Sequence, residues 1–290
     1  MILVTGATGA FGSAAISHLL SKGVSSNEIS ALVRDEAKAQ DLLSKGIQLK
    51  IGDYDNYSSL VKAFDGVDQL LFVSGSDVEK RGSQHENVVK AAKEAGVKHI
   101  YYTSFERKNE TETSPIALLA KSHIDTENQI RESGITYTIF RNNLYFDVLP
   151  LFLGNQIKET GVYFPAGNAK SGFALRDELA EAAVNVLTTT GHENKEYFFS
   201  NPESIGMQEI AENLTEITET SISYTDPEPK VFYDNLINAN VPEMYAQMSA
   251  GFAQAIKEGE FSSNQSDLEK LLGRKPSTAK VFLASVYGNN

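Results

Sequence analysis

Met1-Ile-Leu-Val-Thr5-Gly6-Ala-Thr8-Gly9-Ala10-Phe11-Gly12 opens the chain, and its reading decides the fold. Ile2 to Val4 is a short apolar run of strand character. The glycines follow it directly, and Phe11, Ala15, Ile16, Leu19 and Leu20 then recur at helical spacing on one face. A strand, a glycine-rich turn and a helix N-terminus, in that order, suit a dinucleotide pyrophosphate. Gly6 lets the chain turn sharply, Gly9 lets backbone N–H groups come close to the phosphates, and Gly12 lets the helix pack tightly on the strand. The first amides of the helix then face the anion. An ordinary strand-to-helix turn is the competing reading. The context weighs against it, because a second strand, Ile29 to Val33, follows the helix.

Working outward, Arg34 ends that second strand, where an acid would accept from a ribose 2′-OH and a guanidinium accommodates a 2′-phosphate. The acid here is displaced to Asp35, so Arg34 argues for NADP(H), with Lys38 one turn on as a second cation; the alternative is a solvated surface arginine. Ile47 to Ile51 alternates as a strand and leads to Asp53, which either accepts from the adenine amino group or caps a turn. Ser58 to Phe64 reads as a helix. Gln69 to Val73 is a continuous apolar strand, to be covered on both faces, and it runs into Ser74-Gly75-Ser76. A small turn at the C-terminal edge of a central parallel strand is where a dinucleotide lies across a sheet.

A helix over His85–Ala95, a strand over Val97–Ser104, and a polar loop over Phe105–Ser114, long enough for a lid or an entrance, come next. Pro115 starts the helix that carries Lys121, His123 and Glu127, and Gly134–Phe140 is the sixth strand, followed by Arg141-Asn142-Asn143-Leu144-Tyr145. This alternation predicts an α/β doubly wound parallel sheet over residues 1–147. Residues 148–290 read as a smaller C-terminal α/β lobe, with a helix to about Glu159 and with segments such as 177–200 returning to the first domain. The lobe is expected to lie over the nucleotide edge and to form the substrate pocket with it.

Composition narrows the classes. The 290 residues are 41% hydrophobic and 22% charged, with no repeat and no apolar run long enough to span a bilayer. The absence of cysteine removes disulfides, thiolate metal sites and thiol nucleophiles. Histidines at 18, 85, 99, 123 and 192 lack the close spacing of a helical metal pair, so no metal is expected. A net charge of −12 with no basic run argues against nucleic acid. The N-terminus lacks a basic flank, which points to a cytoplasmic protein with no membrane partner. A homodimer is a candidate assembly.

The chain resembles the NmrA-like branch of the atypical short-chain dehydrogenase/reductases. The resemblance rests on Val4–Gly12, Ala31–Arg34, Gly52–Tyr54, His85–Ala92, Gly96–Ile100, Tyr137–Asn142, Arg176–Ala180 and Gly191–Lys195, and it extends to Gly273. It implies a Rossmann-type NADP(H)-binding domain with a small C-terminal lobe. It also implies pyrophosphate contacts from Gly6, Thr8, Ala10, Phe11 and Gly12, 2′-phosphate recognition by Arg34, adenine contact near Asp53, and nicotinamide-side contacts near Ser74, Gly75 and Ser104. Lys121 matches a lysine position common in the wider family.

Ordinary short-chain dehydrogenases place a tyrosine four residues before a lysine, so that the phenol shuttles a proton. No tyrosine here has a lysine four residues on, and Ala117 stands four before Lys121. Carbinol oxidation and sugar-nucleotide epimerisation are therefore disfavoured. A quinone or a cationic dye asks less of an enzyme, because it delocalises the electrons it receives and water completes the protonation. Catalysis then rests on holding the acceptor over the nicotinamide. Phe105, Tyr145, Phe146 and Tyr163 are the candidate aromatic walls, each weighed against plain core packing, and Asn142 or Asn143 would orient a carbonyl. Lys121 either holds the nicotinamide ribose, stabilises an enolate-like oxygen, or is a solvated helix lysine. His123 is either a proton donor or a histidine bonded within helix packing, the second being favoured. Glu178 and Glu181 read as surface acids. With no G-x-S-x-G elbow and no P-loop, the expected function is NADPH-dependent reduction of a quinone-like small molecule. A non-catalytic NADP(H) sensor is the alternative.

Overall fold

The computed structural model describes residues 1–154 and 156–288. Strand and helix alternate from β1 (Ile2–Val4) and α1 (Ala10–Ser21) through β2 (Ile29–Val33), α2 (Gln40–Ser44), β3 (Gln48–Ile51), α3 (Tyr57–Phe64), β4 (Gln69–Phe72), α4 (Arg81–Glu94), β5 (His99–Phe105) and α5 (Ala117–Ser133) to β6 (Thr136–Asn142). The order then loosens into α6 (Leu149–Leu153), α7 (Ile157–Thr160), β7 (Val162–Tyr163), β8 (Lys170–Ser171), α8 (Arg176–Leu187), β9 (Lys195–Phe199) and β10 (Ile205–Gly206). It closes with α9 (Met207–Thr218), β11 (Tyr224–Thr225), α10 (Pro229–Asn238), α11 (Glu243–Lys257), α12 (Leu268–Leu272) and α13 (Ala279–Tyr287).

The main sheet runs β3-β2-β1-β4-β5-β6-β9, and every pairing from β3 to β6 is parallel. This is the Rossmann-like α/β arrangement. The chain moves outward from β1 to β3 and then returns to set β4 beside β1, so the strand order reverses between β1 and β4. Clefts at the carboxyl ends of strands on either side of such a reversal hold ligands. The run Gln69–Val73 is apolar without alternation because both faces are covered. On one face Leu70, Phe72, Ile100, Tyr102 and Ile139 pack with Leu60, Phe64, Val88, Ala92 and Ile130 from α3, α4 and α5. On the other, α1 and α8 lie side by side.

The chain divides into two compact units. The first holds residues 1–105, 118–142 and 176–198, and the second holds 106–117, 143–175 and 199–290. In the second unit β10 pairs antiparallel with β8, β11 pairs parallel with β7, and α9 packs on α13. Its core is aromatic, with Phe146 stacked on Phe173 and Phe282, and Phe152 against Phe164 and Phe252. The single helix expected up to Glu159 is instead α6 and α7, broken where Gly154 takes φ 74°.

Two further expectations are corrected. Helix α4 begins four residues earlier than His85, at Arg81. Glu178 is buried rather than solvated, because α8 is covered around most of its circumference and also buries Leu179, Ala180, Ala182, Ala183 and Val184. Charge spacing on a helix does not reveal how many neighbours cover it. The segment after β5 is a loop, as expected, and it is tied down: the buried carboxylate of Glu260 accepts from the backbone N–H groups of Lys108 and Asn109 and from the Ser114 hydroxyl. Among the described residues no helix is long and apolar enough to cross a membrane, and no cluster of acids and histidines could hold a metal ion.

Candidate active site

At the carboxyl end of β1 the chain turns through Gly6 at φ 58°, a left-handed conformation that a side chain disfavours. Gly9 caps α1 with no side-chain hydrogen bond, and Gly6, Thr8, Gly9 and Ala10 are exposed while Phe11 and Gly12 are buried. The N-terminus of α1 therefore has an exposed lead-in and no capping side chain, as an anion site requires. At the end of β2, Arg34 is exposed and, among the described residues, makes no hydrogen bond or ion pair; Lys38 is exposed close by. Asp35, which an NAD-type site would use on the ribose, instead caps the following turn by accepting from the Ala37 N–H at 2.9 Å. Asp53 also serves its own turn, accepting from the Asp55 N–H at 3.0 Å. The open glycine turn and the partnerless Arg34 fit NADP(H).

The carboxyl ends of β1, β3 and β4 are stitched by Tyr54, whose hydroxyl lies 2.5 Å from Thr5 Oγ1 and 2.9 Å from the Val73 carbonyl. Burial pushes this phenol far above its ordinary value, so it stays protonated. The next turn is held as firmly. The Ser74 N–H donates to Thr103 Oγ1, and the Gly75 N–H donates to His85 Nε2, both at 2.9 Å. His85 Nδ1 lies 2.9 Å from Thr126 Oγ1, and the Tyr102 hydroxyl lies 2.7 Å from His123 Nδ1.

Desolvation, helped by the charge of Arg81, pushes His85 down to about 3. The unfolded chain thus takes up this proton first as pH falls, so stability drains away between about pH 6.5 and 3. Replacing His85 by glutamine is expected to flatten that part of the stability profile, measured by urea denaturation at a series of pH values. An unchanged slope would show that the folded histidine titrates normally.

Beyond β4 the predicted residues part company. Ser104 is buried, and its hydroxyl donates at 2.5 Å to the buried Glu127, which also receives Arg131 and Arg141. Lys121 sits on the outer face of α5, its side chain 70% exposed and its ammonium 2.8 Å from Asp125. The inward face of α5 presents His123, Thr126 and Glu127 instead. His123 is buried, bonded to Tyr102 and stacked 5.7 Å from Phe105, as its packing reading expected.

Asn142 is buried at the end of β6. In the second unit, the Asn143 side-chain amide donates to Glu106, Ser200 and the Phe261 carbonyl, each at 3.0 Å, which fixes the backbone and leaves little for a substrate. Tyr145 is half-buried and bridged to Ala174, Phe146 is core, and Tyr163 accepts from Asn235. Tyr54, His85 and Glu127 drew no functional reading from sequence alone. Only the Gly52–Tyr54 and His85–Ala92 motifs pointed near them.

A sequence model described as the NmrA-like family matches residues 1–283. The chain belongs to the NmrA-like family. Within the family, quinone oxidoreductase 2 of Escherichia coli is 35% identical over 291 residues, covering all of both chains. A crystal structure of NADPH-dependent quinone oxidoreductase from E. coli in complex with NADPH superposes with a TM-score of 0.91 at 34% identity, over 99% of this chain and 100% of that one. Triphenylmethane reductase from Citrobacter sp., complexed with NADP(H), gives 0.89 at 40% identity, over 98% of this chain and 100% of that one.

Proposed function

We propose that this chain is an NADPH-dependent oxidoreductase that passes hydride to a quinone or a similar conjugated small molecule. Whole-length likeness to quinone oxidoreductase 2 carries the reading. The glycine turn and the open end of α1 take the pyrophosphate, and Arg34 with Lys38 takes the 2′-phosphate. With the adenosine half at β2, the nicotinamide half belongs at the ends of β4 and β5, the strands on the other side of β1. When bound, NADPH supplies the hydride.

The hydroxyls at the end of β5 support an acceptor that needs no proton from the enzyme: Tyr102 is paired with His123, Thr103 serves Ser74, and Ser104 serves Glu127. A reduced quinone is a stabilised anion that water can protonate. The protein's task is to hold the acceptor flat and in reach, and the half-buried Phe105 at the end of β5 supplies aromatic surface for it. Asn142 orients the acceptor carbonyl. Lys121, ion-paired at the surface, has no part in the chemistry. The reading places the protein in the cytoplasm, where reduced dinucleotide is maintained.

The test is the loss of reduced-nicotinamide absorbance with a panel of quinones, on wild type and Arg34→Ala. Arg34→Ala is expected to raise the KM for NADPH about tenfold, while the KM for NADH stays unchanged. Tight NADPH binding with no quinone reduced would sink the reductase reading in favour of a redox sensor.

A further inference from the structure

Gly75 is gripped at both its polar groups by α4. Its N–H donates to His85 Nε2 at 2.9 Å and its carbonyl accepts from Arg81 Nε at 2.7 Å. Because a backbone N–H can only donate, Nε2 must be the bare nitrogen and the imidazole proton must sit on Nδ1. That proton points to Thr126 Oγ1 at 2.9 Å, and the threonine hydroxyl in turn donates to the Ser122 carbonyl at 2.6 Å. The Tyr102 hydroxyl also lies 3.4 Å from Nδ1, and with the other tautomer Nε2 would carry a proton and the Gly75 N–H would lose its acceptor. Phe72 and Tyr102 meet the ring edge-on, with centroids 4.8 and 5.8 Å away. The backbone itself lies against α4: a Cβ on Gly75 would come 3.2 Å from Gln84 Oε1.

Space-filling alone would not need this arrangement, since a leucine fills a comparable volume without bonding a turn. The turn so fixed follows β4, on the side of β1 away from Arg34, where the nicotinamide half belongs. We propose that His85 is a positioning residue: braced by Thr126, it fixes the Gly75 turn as the wall that sets the nicotinamide ring for hydride transfer. This deepens, and rests on, the reductase reading. The groups that face the ring are Arg81, Tyr54, Tyr102 and His123. Burial holds the imidazole far below its ordinary value, so the grip is unchanged through the neutral range.

The experiment compares wild type, His85→Leu and His85→Gln, the last offering an acceptor near the place of Nε2. Three quantities are read: NADPH affinity, the emission of the bound reduced nicotinamide at saturation, and the stereospecificity of hydride transfer from NADPH deuterated at one C4 position. The phosphate end has its own anchors, so affinity in His85→Leu should stay within about threefold of wild type. The kcat should fall about tenfold, as a displaced ring demands. Bound emission should shift and transfer from the wrong face of the ring should rise, while His85→Gln recovers most of each loss.

Where His85→Leu does not fold, Thr126→Val removes the brace from the far side and should reproduce the emission shift. Unchanged emission and unchanged stereospecificity in folded variants overturn the proposal, whatever happens to the melting temperature. A wild type that binds NADPH but reduces no quinone ends the reductase reading alone, because the emission shift still decides the role of His85. A wild type that binds no NADPH ends both.

Discussion

Replacing Gly12 by valine is expected to cost at least about 4 kcal/mol of stability and to abolish NADPH binding. A Cβ at this position would stand 2.3 Å from the Gly6 carbonyl oxygen, 2.7 Å from its carbon and 2.9 Å from Ala7 Cα. All three are backbone atoms of the turn proposed above to take the pyrophosphate, so none can swing aside like a side-chain tip. Relief requires α1 to move off β1 or the turn to open. Either change spoils the anion site together with the packing of Phe11, Ala15 and Ile16. Gly9 offers a control on the same turn, since a Cβ there would stand 3.2 Å from the same oxygen, and Gly9→Ala should be milder. Urea denaturation and NADPH fluorescence titration read the two effects; a Gly12→Val chain within about 1 kcal/mol of wild type would refute the packing argument.

Glu127→Ala is expected to destabilise the first unit by about 3 kcal/mol. The carboxylate is 1% exposed and receives the Ser104 hydroxyl, Arg131 at 3.2 Å and Arg141 at 2.8 Å. Its loss takes a counter-charge from two guanidinium groups and unpairs a buried hydroxyl. The cost stays below the extreme for a buried pair because Glu196 still bridges both arginines and Arg141 keeps its place over the Phe198 ring. Chemical denaturation measures it, and Ser104→Ala in the same background should add less than it does in wild type, because the two groups share one bond. Full additivity would show that Ser104 and Glu127 act independently.

The glycine turn, the parallel sheet implied by repeated βα units and the cationic end of β2 were legible because each is local. Three glycines, an apolar run and Arg34 lie within the first 34 residues, and their geometry follows from backbone sterics and helix periodicity. What the sequence withheld is pairing at long range. Gly75 and His85 stand ten residues apart on different elements, and nothing in either residue type says that an imidazole will accept from that amide. Lys121 shows how little a motif position says about the direction a side chain faces. A residue matched by position in a motif turned out to face solvent, since α5 is oriented by the burial of Ala120, His123, Glu127 and Ile130. That the polar loop after β5 is tied down was not legible, because the acid that holds it, Glu260, lies about 150 residues away.

The two units are interleaved along the chain in six alternating segments. A single genetic crossover therefore cannot exchange one unit for that of a relative and leave the other intact. Shuffling of whole modules, open to proteins whose domains follow one another, is closed to this architecture. Change in either unit has to come by point substitution and by changes of loop length, made one at a time on a chain whose other unit must keep folding throughout.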